Sequence, residues 1–270
     1  MKQNYLFTDL DRTMIFSKTF YEDGLNLLPI EYDKENNKKI ISYMTKNALE
    51  LVKKNQSNII PVTTRTLSEF QRVTPFQDSP WAIVGNGSLI LHKGKKVNEW
   101  SIHIDNITKP LSQEYDFLIN FINFEFKEML EEKAKKNEGF IFAKIKEEYR
   151  DYFYNKIFAH KLPHWQFVIQ KRKVYLMPKI VSKENAVEYV LKKLVNVDNL
   201  FFAGDGVLDI GMLNLSSKLL KAKSFAPIGS DAHKLSTTKN LTTVPPSPIG
   251  GEIILQTTFK EGKFTEGKMK

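Results

Sequence analysis

Two apolar runs far apart in the chain end in the same way, and this constrains the fold more than any other feature. YLFTDL (5–10) leads into Asp9 and Asp11, and LFFAGD (200–205) leads into Asp205 and Asp209. Strand alternation puts Asp9 and Asp11 on one side, which is costly unless a cation or a reacting group lies between them. Sites in open parallel sheets form outside the carboxyl ends of the strands, so residues distant in sequence can meet there.

The pattern between these runs has the βαβ rhythm of a parallel sheet. YLFTDL reads as a strand and 17–37 as a polar loop. KKIISYMTKNALELVKK (38–54) reads as a helix, with Ile41, Met44, Ala48, Leu51 and Val52 at helical spacing. NIIPVTTRT is a second strand. In WAIVGNGSLIL, residues 82–84 form a short buried strand, and Gly85, Asn86 and Gly87 turn into another.

The character then changes. HKGKKVNEWSIHI suggests a hairpin, and QEYDFLINFINFEFKEMLEEKAKK (113–136) a long helix with Leu118, Phe121, Ile122, Met129 and Leu130 on one face. The basic stretch at 133–136 would end that helix, where cations suit the dipole. An aromatic-rich stretch precedes two β-like runs, WQFVIQ and VYLMP, joined by a basic turn at 171–173. Residues 88–177 thus read as an inserted α/β domain, with 1–87 and 178–270 forming the core. After it, Ser182 is placed to cap KENAVEYVLKKL. LFFAGDGVLDIGML is a strand with an acidic loop and short helix, and the tail holds a short strand and a helix started at Gly250 and Gly251.

The chain has 270 residues, 41% of them hydrophobic, enough to bury a full core. It contains no apolar run of about 18 residues, and two acids stand too near the N-terminus for a signal peptide; the expected location is the cytoplasm. With no cysteine, disulfides, thiolate metal sites and cysteine nucleophiles are excluded. The formal charge of +9 favours anionic partners, from nucleic acid down to small phosphorylated metabolites, but it is spread along the chain, which argues for a solvated surface rather than a nucleic-acid track. His160, His164 and His233 read as structural or surface residues.

Four clusters carry the chemistry: Asp9 and Asp11 with Thr13; Thr63, Thr64 and Arg65; Lys183; and Asp205 with Asp209. They suit phosphoryl transfer through a carboxylate. Asp9 can attack phosphorus in line, and Asp11 can protonate the leaving alcohol and then take a proton from water. Mg²⁺, which prefers oxygen ligands, would remove the repulsion among the acids and the phosphate. Lys183 adds a positive charge and Thr63 a hydroxyl donor.

In this order the clusters resemble the motifs of the haloacid dehalogenase superfamily of phosphatases, in the branch containing Cof-like and sucrose-phosphate phosphatases. IVGNGSLILHKGKKV and VSKENAVEYVLKKL resemble that branch's flanks on either side of its cap. The resemblance implies a doubly wound, Rossmann-like α/β core with an α/β cap, hydrolysing a small phosphomonoester such as a sugar phosphate. It implies Asp9 as nucleophile and Asp11 as general acid/base, with Thr63, Thr64, Arg65 and Lys183 on the substrate side and Asp9, Asp11, Asp205 and Asp209 on the metal side. In that set Asp11 supplies its backbone carbonyl, Asp209 either touches Mg²⁺ or orients a water or lysine beside it, and Arg65 reads as an ion-pairing neighbour of the phosphate. Arg12 stands where the family usually has glycine and reads as a solvent-facing side chain; the alternative is a cation at the mouth of the site. The alternative function is a catalytically weak binder of phosphometabolites or nucleic acid.

Overall fold

The computed structural model describes residues 2–20, 24–36, 39–160, 162–170 and 172–259. Gln3–Thr8 runs parallel to Val197–Ala203 on one side and to Ile59–Pro61 on the other. Ala222–Pro227 and Leu241–Val244 extend the sheet beyond Val197–Ala203, completing five parallel strands. Alternation then divides the core. Leu6, Ile59 and Phe201 pack with Ala48 and Val52 of the helix Lys46–Asn55 and Leu255 of the helix Pro248–Phe259. Phe7, Ile60 and Phe202 face the opposite layer, with Val187 and Val190 of Lys183–Leu191 and Met212 of Ile210–Asn214. A sheet buried on both faces requires such continuous apolar strands.

The insertion is built on a four-stranded antiparallel sheet: Trp165–Gln170, Lys173–Pro178, Phe140–Ile145 and Leu130–Asn137, in that order. The helix Ser112–Glu125 covers one face, burying Tyr115, Leu118 and Ile122 with Ile141, Val174 and Leu176. A small apolar group joins the two parts, with Leu208 of the acidic loop meeting Phe140, Val168, Tyr175 and Met177.

Several elements differ from the sequence reading. Residues 38–54 are not one helix: Ile40–Thr45 is a strand paired antiparallel with Leu27–Tyr32, inside the stretch read as a polar loop. Tyr43 and the β-branched Ile40 and Ile41 suit the pleat, and Thr45 caps the helix at Lys46 by accepting the Ala48 N–H at 3.0 Å. The long helix stops at Glu125, and Leu130–Asn137 is a strand turning back through Gly139. Its Glu, Lys and Ala residues have high helix propensity, but pairing with Phe140–Ile145 prevails, so the basic stretch lies on a strand and not at a helix end. The expected hairpin after His92 is short, since Asn98–Thr108 is a helix. Its Trp100 and Ile104, with Ile90, pack into the core's own cluster. Apolar packing therefore divides near residues 109–111, not at Ser88. The tail contributes two strands, and its helix begins at Pro248, where proline lacks only an N–H that the first turn leaves unpaired.

Candidate active site

The carboxyl edge of the parallel sheet opens into a cleft of about 1270 Å³ roofed by the inserted sheet. Asp9 leaves the end of Gln3–Thr8, its N–H bonded to the Ala203 carbonyl at 2.8 Å, so the two central strands bring their acids together. Asp9, Asp205 and Asp209 are 5%, 8% and 2% exposed. Each offers an oxygen within 4.8 Å of the others.

Lys183 closes this cluster. It is the first residue of its helix, behind Ser182, whose hydroxyl accepts the Asn185 N–H. Its ammonium, 1% exposed, donates to Asp9 Oδ1 and Asp209 Oδ1, each at 2.6 Å. The Gly85–Gly87 turn holds that helix end. At Gly87, where φ is +96°, a Cβ would lie 2.3 Å from the Ser182 carbonyl oxygen. Asp209 has both oxygens engaged, since Oδ2 accepts the N–H groups of Asp205 at 3.1 Å and Gly206 at 2.8 Å. Gly204 permits this fold-back, because a Cβ there would meet Asp209 Cβ at 2.4 Å.

Asp11 lies outside the three-carboxylate cluster. Its side chain, 53% exposed, receives a forked pair of bonds from Arg65, Nε to Oδ2 at 2.7 Å and a terminal nitrogen to Oδ1 at 2.8 Å. The other arm of Arg65 donates to Glu31 at 2.8 Å. Glu31 is fully buried and also accepts from Ser42 at 2.7 Å and Arg72 at 3.2 Å. Glu31 is not predicted as a site residue from its surroundings in the sequence, because the polar stretch 17–37 has the character of a loop. The available signal was one carboxylate amid LLPIEY, an otherwise apolar and aromatic run.

Thr64 and Arg65 line the cleft, whereas Thr63 is 1% exposed, its hydroxyl accepting the Arg65 N–H at 3.2 Å. Arg12 departs from its solvent-facing reading. Its Nε is 2.9 Å from Asp205 Oδ2, because Asp205 is the nearly buried carboxylate left without the Lys183 contact. Arg150 and Arg172 line the cleft, and Lys171 lies outside the described residues. His233 accepts the Gly229 N–H, and His160 packs edge-on against Phe121.

The electrostatics follow from burial. Burial, against the opposing Lys183 charge, pushes the Asp9 carboxyl well above its usual range. Burial and the adjacent Asp209 raise Asp205 to about 7. At Asp11 the partial desolvation of a half-exposed carboxyl is outweighed by the Arg65 bonds and charge, which hold it low. Burial alone would lower Lys183, and Asp209 and Asp9 reverse this, keeping it charged. An oxygen-only cluster with this excess of negative charge fits a hard divalent cation such as Mg²⁺.

Fold and site together define a class: a doubly wound α/β core whose acidic carboxyl edge faces an inserted α/β cap. Solved phosphatases share this architecture over nearly their whole length. A sucrose-phosphatase from Synechocystis in complex with sucrose and phosphate matches with a TM-score of 0.59 at 17% identity, covering 94% of this chain and 96% of that one. The C-terminal domain of a trehalose-6-phosphate phosphatase from C. albicans matches at 0.64 and 13%, covering 95% and 92%. A trehalose-6-phosphate phosphatase related protein matches at 0.57 and 15%, covering 94% and 96%. No family model and no curated protein matches the sequence.

Proposed function

We propose that this protein is a Mg²⁺-dependent phosphatase of the haloacid dehalogenase type, acting on a small phosphomonoester such as a sugar phosphate through an aspartyl-phosphate. The observation that carries the proposal is the buried lysine bridge. Lys183 spans Asp9 and Asp209 at 2.6 Å each, at the sheet's carboxyl edge, and Asp11 lines the same cleft. A metal bound by Asp9, Asp205 and the main-chain carbonyl of Asp11 would offset the negative charge of the acids and of the phosphate.

With Oδ1 held by Lys183, Asp9 presents Oδ2 as the attacking oxygen. The Asp9 O–P bond forms as the bond from phosphorus to the leaving oxygen breaks, and Asp11, protonated from solvent once its Arg65 pair opens, delivers that proton to the leaving oxygen. Asp11 is half exposed and so exchanges protons with solvent. In the second half, water attacks phosphorus, Asp11 takes its proton, and Asp9 is released with inorganic phosphate. Asp209 holds Lys183 in place, and Lys183, which lines the cleft, serves the phosphate oxygens. The cap, 112–177, selects the leaving group.

The test is phosphate release from p-nitrophenyl phosphate and a sugar-phosphate panel, with Mg²⁺ or EDTA, by the wild type and Asp9→Asn. Turnover that needs Mg²⁺ and is lost in Asp9→Asn supports the proposal. A folded wild type that releases no phosphate from any substrate overturns it in favour of a binding role.

A further inference from the structure

The inserted sheet has one dry face and one that looks into the cleft. Along Lys173–Pro178, alternation sends Val174 and Leu176 into the cap's own core and turns Lys173 and Tyr175 toward the site. Along Phe140–Ile145 it buries Ile141, Ala143 and Ile145 and leaves Phe140, Phe142 and Lys144 on the cleft side. Register places Tyr175 opposite Phe142 and Lys173 opposite Lys144.

Two lysines directly opposite on one face of an antiparallel ladder repel each other. Lys144 is compensated by Glu131 at 2.9 Å, but the same carboxylate also holds Arg172. Among the described residues neither Lys173 nor Arg150 has an ion-pair partner within 4.0 Å, although the Lys173 charge is felt at Asp11, and both line the cleft. The cap's side of the cleft carries six cations against two carboxylates, facing a core side rich in acids. One of those two, Glu138, is engaged by the Leu67 N–H at 2.8 Å. Lys173 lies two residues along its strand from Tyr175, about 7 Å, a spacing that a ring or a short polyol chain spans.

We propose that Lys173 and Arg150 bind a second anionic group, carboxylate or phosphate, carried by the leaving group, so that the substrate is a phosphomonoester with an anion at each end. This rests on the phosphatase reading of the site. Tyr175 and Phe142, with rings 5.6 Å apart, form the apolar surface crossed by the intervening carbons.

Calorimetry on the Asp9→Asn protein with Mg²⁺ tests this without turnover. 6-Phosphogluconate and sorbitol 6-phosphate differ only in a carboxylate against a hydroxymethyl group; glucose 1,6-bisphosphate and glucose 6-phosphate supply the phosphate arm. The expected result is at least tenfold tighter binding of the partner with an anionic group at each end in one pair, weakening as salt rises, and erased by adding Lys173→Met and Arg150→Met. Whichever pair shows the difference names the second anion. Equal affinities in both pairs, a difference that survives the two substitutions, or no measurable binding of any of the four overturns the inference. A wild type that binds with the expected preference but hydrolyses nothing overturns the phosphatase reading alone.

Discussion

At Arg12, φ is +59°, a left-handed conformation that costs a residue with a Cβ roughly 1–2 kcal/mol. Its side chain, 46% exposed, sits 2.9 Å from Asp205. So exposed an ion pair contributes little, so relief of the backbone dominates in Arg12→Gly. The variant is expected to melt at the same temperature or slightly higher. It should also show half-maximal thermal stabilisation at a lower Mg²⁺ concentration, since the competing cation beside Asp205 is gone. A Mg²⁺ titration followed by thermal shift reads both, and weaker Mg²⁺ binding would contradict the argument. Glu31 behaves differently because it is fully buried between two arginines. Glu31→Gln leaves Arg65 and Arg72 short of their counter-charge and should cost roughly 3 kcal/mol in urea unfolding. On the proposed mechanism its kcat should fall more than its KM changes, because Arg65 holds the Asp11 carboxylate.

At the scale of elements, the site depends on where one helix begins. The hydroxyl of Ser182 caps it, the Gly85–Gly87 turn abuts it, and Lys183 reaches the carboxylates from its first residue. Ser182→Ala should cost about 1 kcal/mol and leave Lys183 in place. Gly87→Ala should cost more and also reduce kcat, since both its φ and the 2.3 Å approach to the Ser182 carbonyl oxygen oppose a Cβ. Unfolding curves and kcat for the two variants separate loss of a cap from displacement of Lys183. This helix was legible in the sequence because its cap and apolar face agree with its tertiary role. Ile40–Thr45 and Leu130–Asn137 were not. Their residues tolerate or favour helix locally, and only pairing with a neighbouring strand makes them extended.

For the whole molecule, the acidic cluster is expected to link stability to pH and, if the proposed function holds, to Mg²⁺. The Asp205 carboxyl is raised from 3.8 to about 7, and that of Asp9 is raised as well. Between those values the folded state holds more protons than the unfolded chain. Metal-free stability from this cluster is therefore fullest below pH 4 and declines as pH rises toward 7. A bound cation replaces the protons, so the gain in melting temperature on adding Mg²⁺ should be larger at pH 8 than at pH 5. Thermal shift across that range, with Mg²⁺ or EDTA, measures it, and equal gains at both ends would contradict the linkage.

The sequence by itself determined the parallel core and most of the acidic site. Apolar strands that end in carboxylates leave little choice of where those carboxylates go once the strands are buried side by side, as Asp9, Lys183, Asp205 and Asp209 show. Tertiary structure decided what depends on partners distant in the chain. Glu31 became a buried anchor because Arg65 and Arg72 reach it from another element, and Arg12, though half exposed, pairs with Asp205 because that carboxylate stands beside it. Lys173 faces the cleft opposite Lys144 because strand register put it there. The path of a buried core strand follows from its own apolar residues, but which charges meet across a cleft follows from packing, and no local pattern encodes it.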